Sequence, residues 1–322
     1  MFSIRSVLTN SALAILVLSC ARENDISIKT GLLTDQTLTI SGKERKYILF
    51  VPSNYDNAPI VMLFHGHSST MDQLIGASGE TSPYKIWLDI AQQENILLAI
   101  PNGLYVSENE KGWNDCRADA PTNSKANDVQ FVSLLIDHLI STYRANPKRV
   151  YANGTSNGGH FCIRLANEMP EKLTAFAAVA AANAVNSKCT NSTVPVTALL
   201  MNGTADPLLP FEGGSMIGNR GQVYSVAATV NYWVDRNKTE PTPEISVFPD
   251  ITTSDNSTVE KRIFKNGAGN SEVAFYRITG GGHTEPSKSV RYRTVLTNRL
   301  GNQNGDIEMA DEIWSFFKDK TK

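Results

Sequence analysis

The chain has 322 residues, a formal net charge of −2 at pH 7 and a hydrophobic content of 41%. This length and hydrophobic content allow a sizeable core, in one large domain or two small ones. The near-neutral charge argues against a nucleic-acid partner, because binding to phosphates requires a basic surface.

The first 20 residues are predicted to be a targeting segment. Arg5 precedes an apolar run at residues 12–18, which is too short to span a bilayer. The segment ends in Val17-Leu18-Ser19-Cys20, which resembles a bacterial lipobox whose cysteine carries lipid. The alternative is an ordinary secretory signal. Both predict export, as an outer-membrane or cell-surface lipoprotein or to the periplasm or exterior, with membrane contact only through the lipid and residues 21–28 as a tether.

Buried strands and amphipathic helices alternate along the rest of the chain. In chain order the predicted elements are strands 38–40 and 46–51 around a turn at 41–43, strand 60–64, helix 84–94, strand 96–100, helix 128–143, strand 149–152, a helix from 159, strands 175–181 and 196–201, helix 224–234, strand 271–278 and helix 307–317. Polar residues 239–270 are predicted to form a loop. The alternation predicts an α/β fold, a mostly parallel sheet with helices on both faces, in one domain at residues 29–322.

Three cysteines, Cys116, Cys162 and Cys189, follow the targeting segment. In an oxidising compartment two of them can pair, and the sequence leaves all three pairings open. No Cys-x-x-Cys or His-rich spacing indicates a metal site.

Residues 154–158 read Gly-Thr-Ser-Asn-Gly, between a predicted strand and a predicted helix. This G-x-S-x-G context is typical of a nucleophile elbow, in which Ser156 occupies a sharp, strained turn. Gly154 and Gly158 supply the space that such a turn needs. A glycine-rich turn with an incidental serine is the alternative.

A serine nucleophile needs a base, and the base needs an acid that orients it. Asp206 follows strand 196–201, and His283 follows strand 271–278. The chain order Ser156, Asp206, His283 is the order of such a triad on an α/β sheet. Ligand sites in these sheets lie at the carboxyl ends of the strands, where all three loops are predicted to meet.

The other four histidines suit the role of base less well. His65 and His67 precede the serine, His138 lies within a helix, and His160 leads into the helix after the elbow. Asp128 and Asp235 are the alternative acids, and their positions in helical patterns suit capping.

The oxyanion hole requires two N–H donors. The amide of Asn157, directly after the nucleophile, is predicted to supply one, and the amide of His67 or its neighbour the other. Trp113, Tyr105 and Phe211 are candidate walls of the substrate cleft, with core or rim packing as the alternative.

Over residues 46–318 the chain resembles the group of extracellular poly(3-hydroxybutyrate) depolymerases and carbohydrate esterase family 1 feruloyl esterases. The matching pieces are Leu63-Phe64-His65-Gly66, Pro101-Asn102-Gly103, Gly112-Trp113-Asn114, Asn127-Asp128-Val129-Gln130-Phe131, Val150-Tyr151-Ala152-Asn153-Gly154-Thr155-Ser156-Asn157-Gly158-Gly159, Asn202-Gly203-Thr204-Ala205-Asp206-Pro207, Gly213-Gly214, Gly281-Gly282-His283 and Ile313-Trp314-Ser315-Phe316-Phe317. The resemblance implies an α/β-hydrolase fold and ester hydrolysis through an acyl-serine, without metal or organic cofactor.

The chain departs from this group at three places. The oxyanion loop reads His65-Gly66-His67, where many depolymerases have cysteine after the glycine. Glu285 stands two residues after the predicted base, where the group often has tryptophan, and this change bears on acyl specificity. Asn127-Asp128 replaces an acidic pair, which concerns packing or capping.

The sequence therefore predicts a secreted or lipid-anchored serine esterase. The expected substrates are feruloyl or acetyl esters of plant polysaccharide, or short polyhydroxyalkanoate-type esters. A serine peptidase on the same fold and a non-catalytic surface-binding module are the alternatives.

Overall fold

The computed structural model describes residues 28–322. The predicted targeting segment, its lipidation site Cys20 and residues 21–27 of the tether lie outside the described residues. A search of residues 28–322 finds no helix with the length and hydropathy needed to cross a membrane.

Strands make up the centre of the molecule. In chain order they are β1 (Gly31–Ile40), β2 (Lys43–Val51), β3 (Ile60–Phe64), β4 (Leu97–Pro101), β5 (Leu104–Ser107), β6 (Glu110–Gly112), β7 (Val150–Thr155), β8 (Ala175–Val179), β9 (Thr197–Gly203), β10 (Gly214–Ser215), β11 (Gln222–Val223), β12 (Glu244–Val247), β13 (Thr258–Phe264) and β14 (Val273–Thr279). One ten-stranded sheet has the order β1-β2-β4-β3-β7-β8-β9-β14-β13-β12, while β5 pairs with β6 and β10 pairs with β11.

The six strands from β4 to β14 in this order are parallel, and an antiparallel pair flanks them at each edge. Strands β3, β4 and β8 are buried along their whole length. Their uninterrupted apolar sequences fit strands that are covered on both faces. The mostly parallel sheet that the sequence predicts is confirmed.

Helices cover both faces of the sheet. In chain order they are α1 (Met71–Leu74), α2 (Ile86–Glu94), α3 (Asp128–Tyr143), α4 (Asn157–Glu168), α5 (Val226–Asn237), α6 (Thr294–Leu300) and α7 (Met309–Phe317). Phe131 of α3, Phe161 of α4 and Trp233 of α5 belong to the core on one face. Trp87 of α2 and Phe317 of α7 belong to the core on the other.

Helix caps account for two helix starts. Helix α3 has the predicted bounds, and the side chain of Asn127 accepts a hydrogen bond from the Gln130 N–H at its start. Helix α5 begins two residues later than predicted, because the Ser225 side chain caps it by accepting the Ala228 N–H. Such caps satisfy N–H groups that have no partner within the helix.

The loop predicted at residues 239–270 is wrong. This segment contains β12 and β13, and β13 pairs antiparallel with β14 over seven residues. Within β13 only Val259 and Phe264 are buried, and charged residues occupy positions 260–262. Strand β12 forms the sheet edge and is exposed along its length, and β13 beside it is mostly half-buried. The polar composition of this segment therefore resembles that of a loop.

The disulfide alternatives are resolved. Cys116 and Cys189, 73 residues apart, form the bond. Among the described cysteines Cys162 remains free, and it is buried within helix α4. The bond ties the segment after β6 to the loop between β8 and β9.

Candidate active site

Three predicted site residues follow three strands of the parallel part of the sheet. Ser156 comes directly after β7, Asp206 three residues after β9, and His283 four residues after β14. Strands β7, β9 and β14 run in the same direction, so these loops leave the sheet at the same edge. This edge is the place where α/β sheets bind their ligands.

Ser156 occupies a strained turn between β7 and α4. Its backbone has φ 52° and ψ −120°, a conformation that non-glycine residues seldom adopt. Its N–H donates to the carbonyl of Val179, at a distance of 2.8 Å. A Cβ at Gly154 would collide with the carbonyl of Gly158, and a Cβ at Gly158 would collide with the carbonyl of Phe64. The geometry is that of a nucleophile elbow, and glycine is required at both positions because the surrounding backbone leaves no space for a side chain.

His283 and Asp206 form a buried hydrogen-bonded pair. Nδ1 of His283 lies 2.7 Å from Oδ2 of Asp206, and the side chains are 8% and 1% exposed. Since an ionised carboxylate only accepts, Nδ1 is the donor and Nε2 is left to accept a proton. The other carboxylate oxygen, Oδ1, accepts the N–H groups of Leu208 and Leu209 at 2.7 and 2.8 Å. The carboxylate is thereby fixed, and it orients the imidazole.

Ser156 and His283 line the same cavity, which has a volume of about 360 Å³. Within residues 28–322 no hydrogen bond joins the two side chains. In ligand-free sites such contacts are often long, and they tighten when substrate binds. A larger cavity of about 520 Å³, next to helix α5, contains none of the three residues.

The predicted oxyanion loop lies against the nucleophile. A Cβ at Gly66 would be 3.6 Å from the Cβ of Ser156, and Gly66 and His67 both line the cavity. Asn157 is the first residue of α4, so its N–H belongs to the first turn, where helical N–H groups lack partners within the helix. Positive charge at a helix N-terminus favours a developing oxyanion.

The side chain of Asn157 has a separate, structural role. Its Oδ1 accepts the Trp113 N–H at 2.7 Å, and its Nδ2 donates to the Trp113 carbonyl at 3.1 Å. Nδ2 also donates to Oδ2 of Asp115, at 2.8 Å. The residue after the nucleophile therefore fixes the segment that follows β6.

Asp115 and Arg117 form a buried ion pair that sequence reasoning missed. Nη2 of Arg117 lies 2.5 Å from Oδ2 of Asp115, and Nδ2 of Asn123 donates to Oδ1 at 2.6 Å. Burial opposes ionisation of Asp115, but the charge and hydrogen bonds of Arg117 outweigh it and lower the pKa of Asp115 to about 2. The sequence hints at this pair only through the Asp and the Arg on either side of Cys116, which the structure shows to be bonded to Cys189.

The structure places none of the three candidate wall residues on the cavity that Ser156 and His283 line. Trp113 is fully buried, its ring stacks on Phe161, and its indole N–H donates to the His65 carbonyl. Tyr105 is 66% exposed on β5, and Phe211 packs against the core. The cavity wall is formed instead by residues that include Tyr84, Leu208, Arg220, Glu285, Tyr292 and Leu296.

The remaining histidines have structural partners. His65 is buried, its Nδ1 donates to the Gly66 carbonyl at 2.8 Å, and its Nε2 accepts the Gly103 N–H at 3.0 Å. Nδ1 of His160 donates to the Ala182 carbonyl at 2.8 Å. Burial lowers the pKa of His65 to about 4 and, together with the nearby Arg117 charge, the pKa of His160 to about 3. His138 lies on helix α3.

The two alternative acids lie apart from the cavity. Asp128 pairs with Arg45 at 2.7 Å and accepts the Asn114 N–H at 2.8 Å. Asp235 is on helix α5 and lines the larger cavity. Neither contacts His283, whose acid partner is Asp206.

Comparison with known proteins finds relatives named as esterases. NocK of Nocardia uniformis subsp. tsuyamanensis, which carries the name of an esterase, is 26% identical over 293 residues, 86% of this chain and 81% of NocK. A protein of Aspergillus niger named feruloyl esterase C is 27% identical over 201 residues, 60% of this chain and 67% of its own length. Feruloyl esterase D of Neurospora crassa is 26% identical over 198 residues, 59% of this chain and 63% of its own length. No family model matches the chain.

Two solved structures show the same fold. An acetyl xylan esterase from Aspergillus awamori superposes with a TM-score of 0.52 and 16% identity, covering 79% of this chain and 94% of that one. A thermostable esterase superposes with a TM-score of 0.51 and 13% identity, covering 90% of this chain and 63% of that one. The predicted α/β-hydrolase fold is confirmed. The relatives confirm the resemblance to the feruloyl esterase group and the enzyme class, a carboxylic-ester hydrolase.

Proposed function

We propose that the chain is a serine esterase that hydrolyses carboxylic esters through an acyl-serine intermediate. The observation that supports this most is the buried Asp206–His283 pair on the cavity that also contains Ser156 at its strained turn. Feruloyl and acetyl esters of plant polysaccharide are the preferred substrates, because relatives carry feruloyl esterase names. Short polyhydroxyalkanoate-type esters remain within the proposal.

In the first half-reaction Ser156 attacks the ester carbonyl while Nε2 of His283 removes its proton. Asp206 stabilises the imidazolium that forms, because its negative carboxylate accepts a hydrogen bond from Nδ1–H and remains ionised. The amides of His67 and Asn157 hold the oxyanion of the tetrahedral intermediate. Each such donor contributes about 3 kcal/mol to the stability of the transition state. His283 then protonates the leaving alcohol, and the acyl group stays on Ser156.

Water repeats the sequence in the second half-reaction. His283 removes a proton from a water molecule, the resulting nucleophile attacks the acyl-serine, and the second tetrahedral intermediate uses the same two amides. Collapse returns the proton to Ser156 and releases the acid. The steps balance without a metal or organic cofactor, and the proposal includes none.

A hydrolysis panel tests the proposal. Methyl ferulate, acetylated xylan, a hydroxybutyrate trimer and short p-nitrophenyl esters are offered to the wild type and to Ser156→Ala. The wild type is expected to hydrolyse at least one class, and Ser156→Ala is expected to lose about 10³-fold or more in kcat. Comparable turnover by Ser156→Ala would refute the mechanism.

Active-site labelling separates the esterase from the two alternatives. A fluorophosphonate probe is expected to label the wild type and not Ser156→Ala, whereas a non-catalytic binding module would not be labelled in either form. An ester and its matched amide are then compared, since a serine peptidase would cleave the amide efficiently. Faster turnover of the amide would refute the esterase proposal and support the serine peptidase.

The proposal includes export through residues 1–20, with Cys20 as the lipid-bearing residue. Metabolic labelling with a radioactive fatty acid is expected to mark the full chain and not Cys20→Ala. Export of an unlabelled wild type would favour the ordinary secretory signal.

A further inference from the structure

The cavity wall contains a buried carboxylate that the proposed mechanism does not use. Glu285 is 7% exposed, lies two residues after His283, and lines the cavity shared by His283 and Ser156. Burying a carboxylate is unfavourable unless hydrogen bonds or a cation compensate for the lost hydration. A group of this kind beside a proposed nucleophile therefore needs an explanation.

Protein groups replace only part of the hydration that the Glu285 carboxylate loses on burial. The Tyr292 hydroxyl donates to Oε2 of Glu285. Burial and the Glu285 charge raise the pKa of Tyr292, so this phenol stays protonated and remains a donor. In the described part of the chain no lysine, arginine or histidine forms an ion pair with Glu285. Oε1 has no hydrogen-bond donor among residues 28–322.

A second tyrosine beside Glu285 donates elsewhere. Tyr84 and Glu285 line the same cavity, and burial together with the Glu285 charge raises the pKa of Tyr84. The Tyr84 hydroxyl, however, donates to Oδ1 of Asn153 at 3.2 Å. The Tyr84 hydroxyl therefore does not donate to Oε1 of Glu285, which leaves a residue of the cavity lining with an acceptor that has no donor within residues 28–322.

A buried glutamine fixes the backbone on which the Glu285–Tyr292 pair is carried. Nε2 of Gln303 donates to the carbonyl of Glu285 at 2.9 Å, and Oε1 of Gln303 accepts the Tyr292 N–H at 2.7 Å. Gln303 is 2% exposed. One side chain thereby fixes the backbone of both members of the Glu285–Tyr292 pair. A group held in this way loses little freedom when a ligand binds.

We infer that Glu285 is a specificity-determining residue that accepts a hydrogen bond from a hydroxyl group of the ester substrate. This inference rests on the proposed esterase function and narrows its substrate class to hydroxyl-bearing esters. A carboxylate accepts strongly from a neutral hydroxyl, disfavours an anionic substituent, and gains nothing from an apolar group. The tryptophan common at this position in the resembling group would instead favour an apolar or aromatic surface.

Two matched substrate pairs test the inference. Methyl 4-hydroxycinnamate against methyl cinnamate tests a hydroxyl on the acyl side. Methyl 6-O-acetylglucoside against cyclohexylmethyl acetate tests hydroxyls on the alcohol side. The quantity measured is the ratio of kcat/KM for the hydroxylated ester to kcat/KM for its partner. The wild type is expected to show a ratio of about 10 to 100 in one pair, as for hydrogen bonds to charged groups.

Substitution assigns the ratio to Glu285. Glu285→Leu removes the acceptor at similar size and is expected to bring the ratio close to 1. Glu285→Gln keeps a neutral acceptor and is expected to give an intermediate ratio, and Tyr292→Phe should lower it because Oε2 loses its donor. The matched control is Glu312→Leu, because Glu312 accepts the Tyr276 hydroxyl at 2.8 Å outside this cavity. The control is expected to keep the wild-type ratio.

The outcomes separate this inference from the proposed function. A wild type that hydrolyses the esters with a ratio near 1 in both pairs overturns the inference and leaves the esterase intact. A wild-type ratio that persists in Glu285→Leu, or an equal loss on both members of a pair, also overturns it. A wild type that hydrolyses none of the esters and is not labelled by the fluorophosphonate would refute the proposed esterase function, and the inference with it. If Glu285→Leu fails to fold, the test uses Glu285→Gln, which has the same shape as the native residue. An unchanged wild-type ratio in Glu285→Gln would then overturn the inference.

Discussion

Oδ2 of Asp206 accepts a hydrogen bond from Nδ1–H of His283, with 2.7 Å between nitrogen and oxygen, while two backbone N–H groups donate to its other oxygen, Oδ1. This bond selects the tautomer in which Nε2 is free to accept a proton. The two residues are 77 positions apart in sequence, and the parallel strands β9 and β14 bring them together.

Replacing Asp206 with asparagine tests this relationship. The amide can donate to Nδ1 and so stabilise the wrong tautomer, and it cannot neutralise an imidazolium. We expect kcat to fall by about 10³- to 10⁴-fold with little change in folding. The measurement is steady-state hydrolysis of a p-nitrophenyl ester, with circular dichroism as the check on folding.

Asp235→Asn is the matched control, because Asp235 is one of the two alternative acids and lies on helix α5, away from His283. This variant should retain activity within about twofold. A large loss in Asp235→Asn with a small loss in Asp206→Asn would reverse the assignment.

The positions of Ser156, Asp206 and His283 at strand ends could be predicted because local features mark them, while their catalytic roles stay a proposal. Ser156 lies between glycines that no larger residue can replace, and Asp206 and His283 lie just after apolar strands. The same pattern of strand ends predicts the oxyanion amides, whose role stays a proposal. Local pattern sufficed for these positions because the ends of neighbouring parallel strands meet at one edge of a sheet.

The walls of the cavity could not be predicted in this way. Trp113 lies close to the site in space, since its backbone bonds to the Asn157 side chain, yet packing against Phe161 buries its ring completely. Tyr292 and Leu296 do line the cavity. Tyr292 precedes the short helix α6 and Leu296 lies within it, and no residue of this helix is buried. Which aromatic faces a cavity depends on tertiary packing, and a single sequence contains no periodic signal for it.

Gly158→Ala is expected to prevent normal folding. A methyl group there would overlap the backbone carbonyls of Phe64 and His65, which strand β3 and the loop after it fix in place. Backbone cannot rotate aside as a side chain can, so the cost should reach or exceed the upper end for overpacking, about 3 kcal/mol. The soluble yield and the midpoint of urea unfolding are measured.

Gly66→Ala is the comparison for that experiment, because its added methyl would lie 3.6 Å from the Cβ of Ser156, an ordinary contact distance. It should fold with nearly wild-type stability. Equal stability of the two alanine variants would show that the elbow does not require glycine at 158.

Reduction of the Cys116–Cys189 disulfide is expected to destabilise the protein. The bond closes a loop of 73 residues, and the chain-entropy model assigns such a loop about 4 kcal/mol. The bond also adjoins Asp115 and Arg117, which hold the segment beside Asn157. Urea unfolding with and without reductant measures the loss.

The double variant Cys116→Ala with Cys189→Ala serves as the control for reduction. It should start with the lower stability and show no further response to the reductant. A reductant effect that persists in the double variant would point to chemistry elsewhere in the chain.

Stability is expected to fall between pH 7 and pH 5 because of two buried histidines. The pKa values of His65 and His160 are lowered to about 4 and about 3, against about 6.5 in an unfolded chain. Below pH 6.5 the unfolded chain binds protons that the folded chain does not, so stability is fully present above that pH and decreases as the pH falls. Each histidine can contribute up to about 1.4 kcal/mol per pH unit in this window.

Urea unfolding at pH 5 and pH 7 measures the difference in stability. His160→Asn should be less stable at pH 7 but show a smaller pH dependence, and equal dependence in both proteins would contradict the assignment.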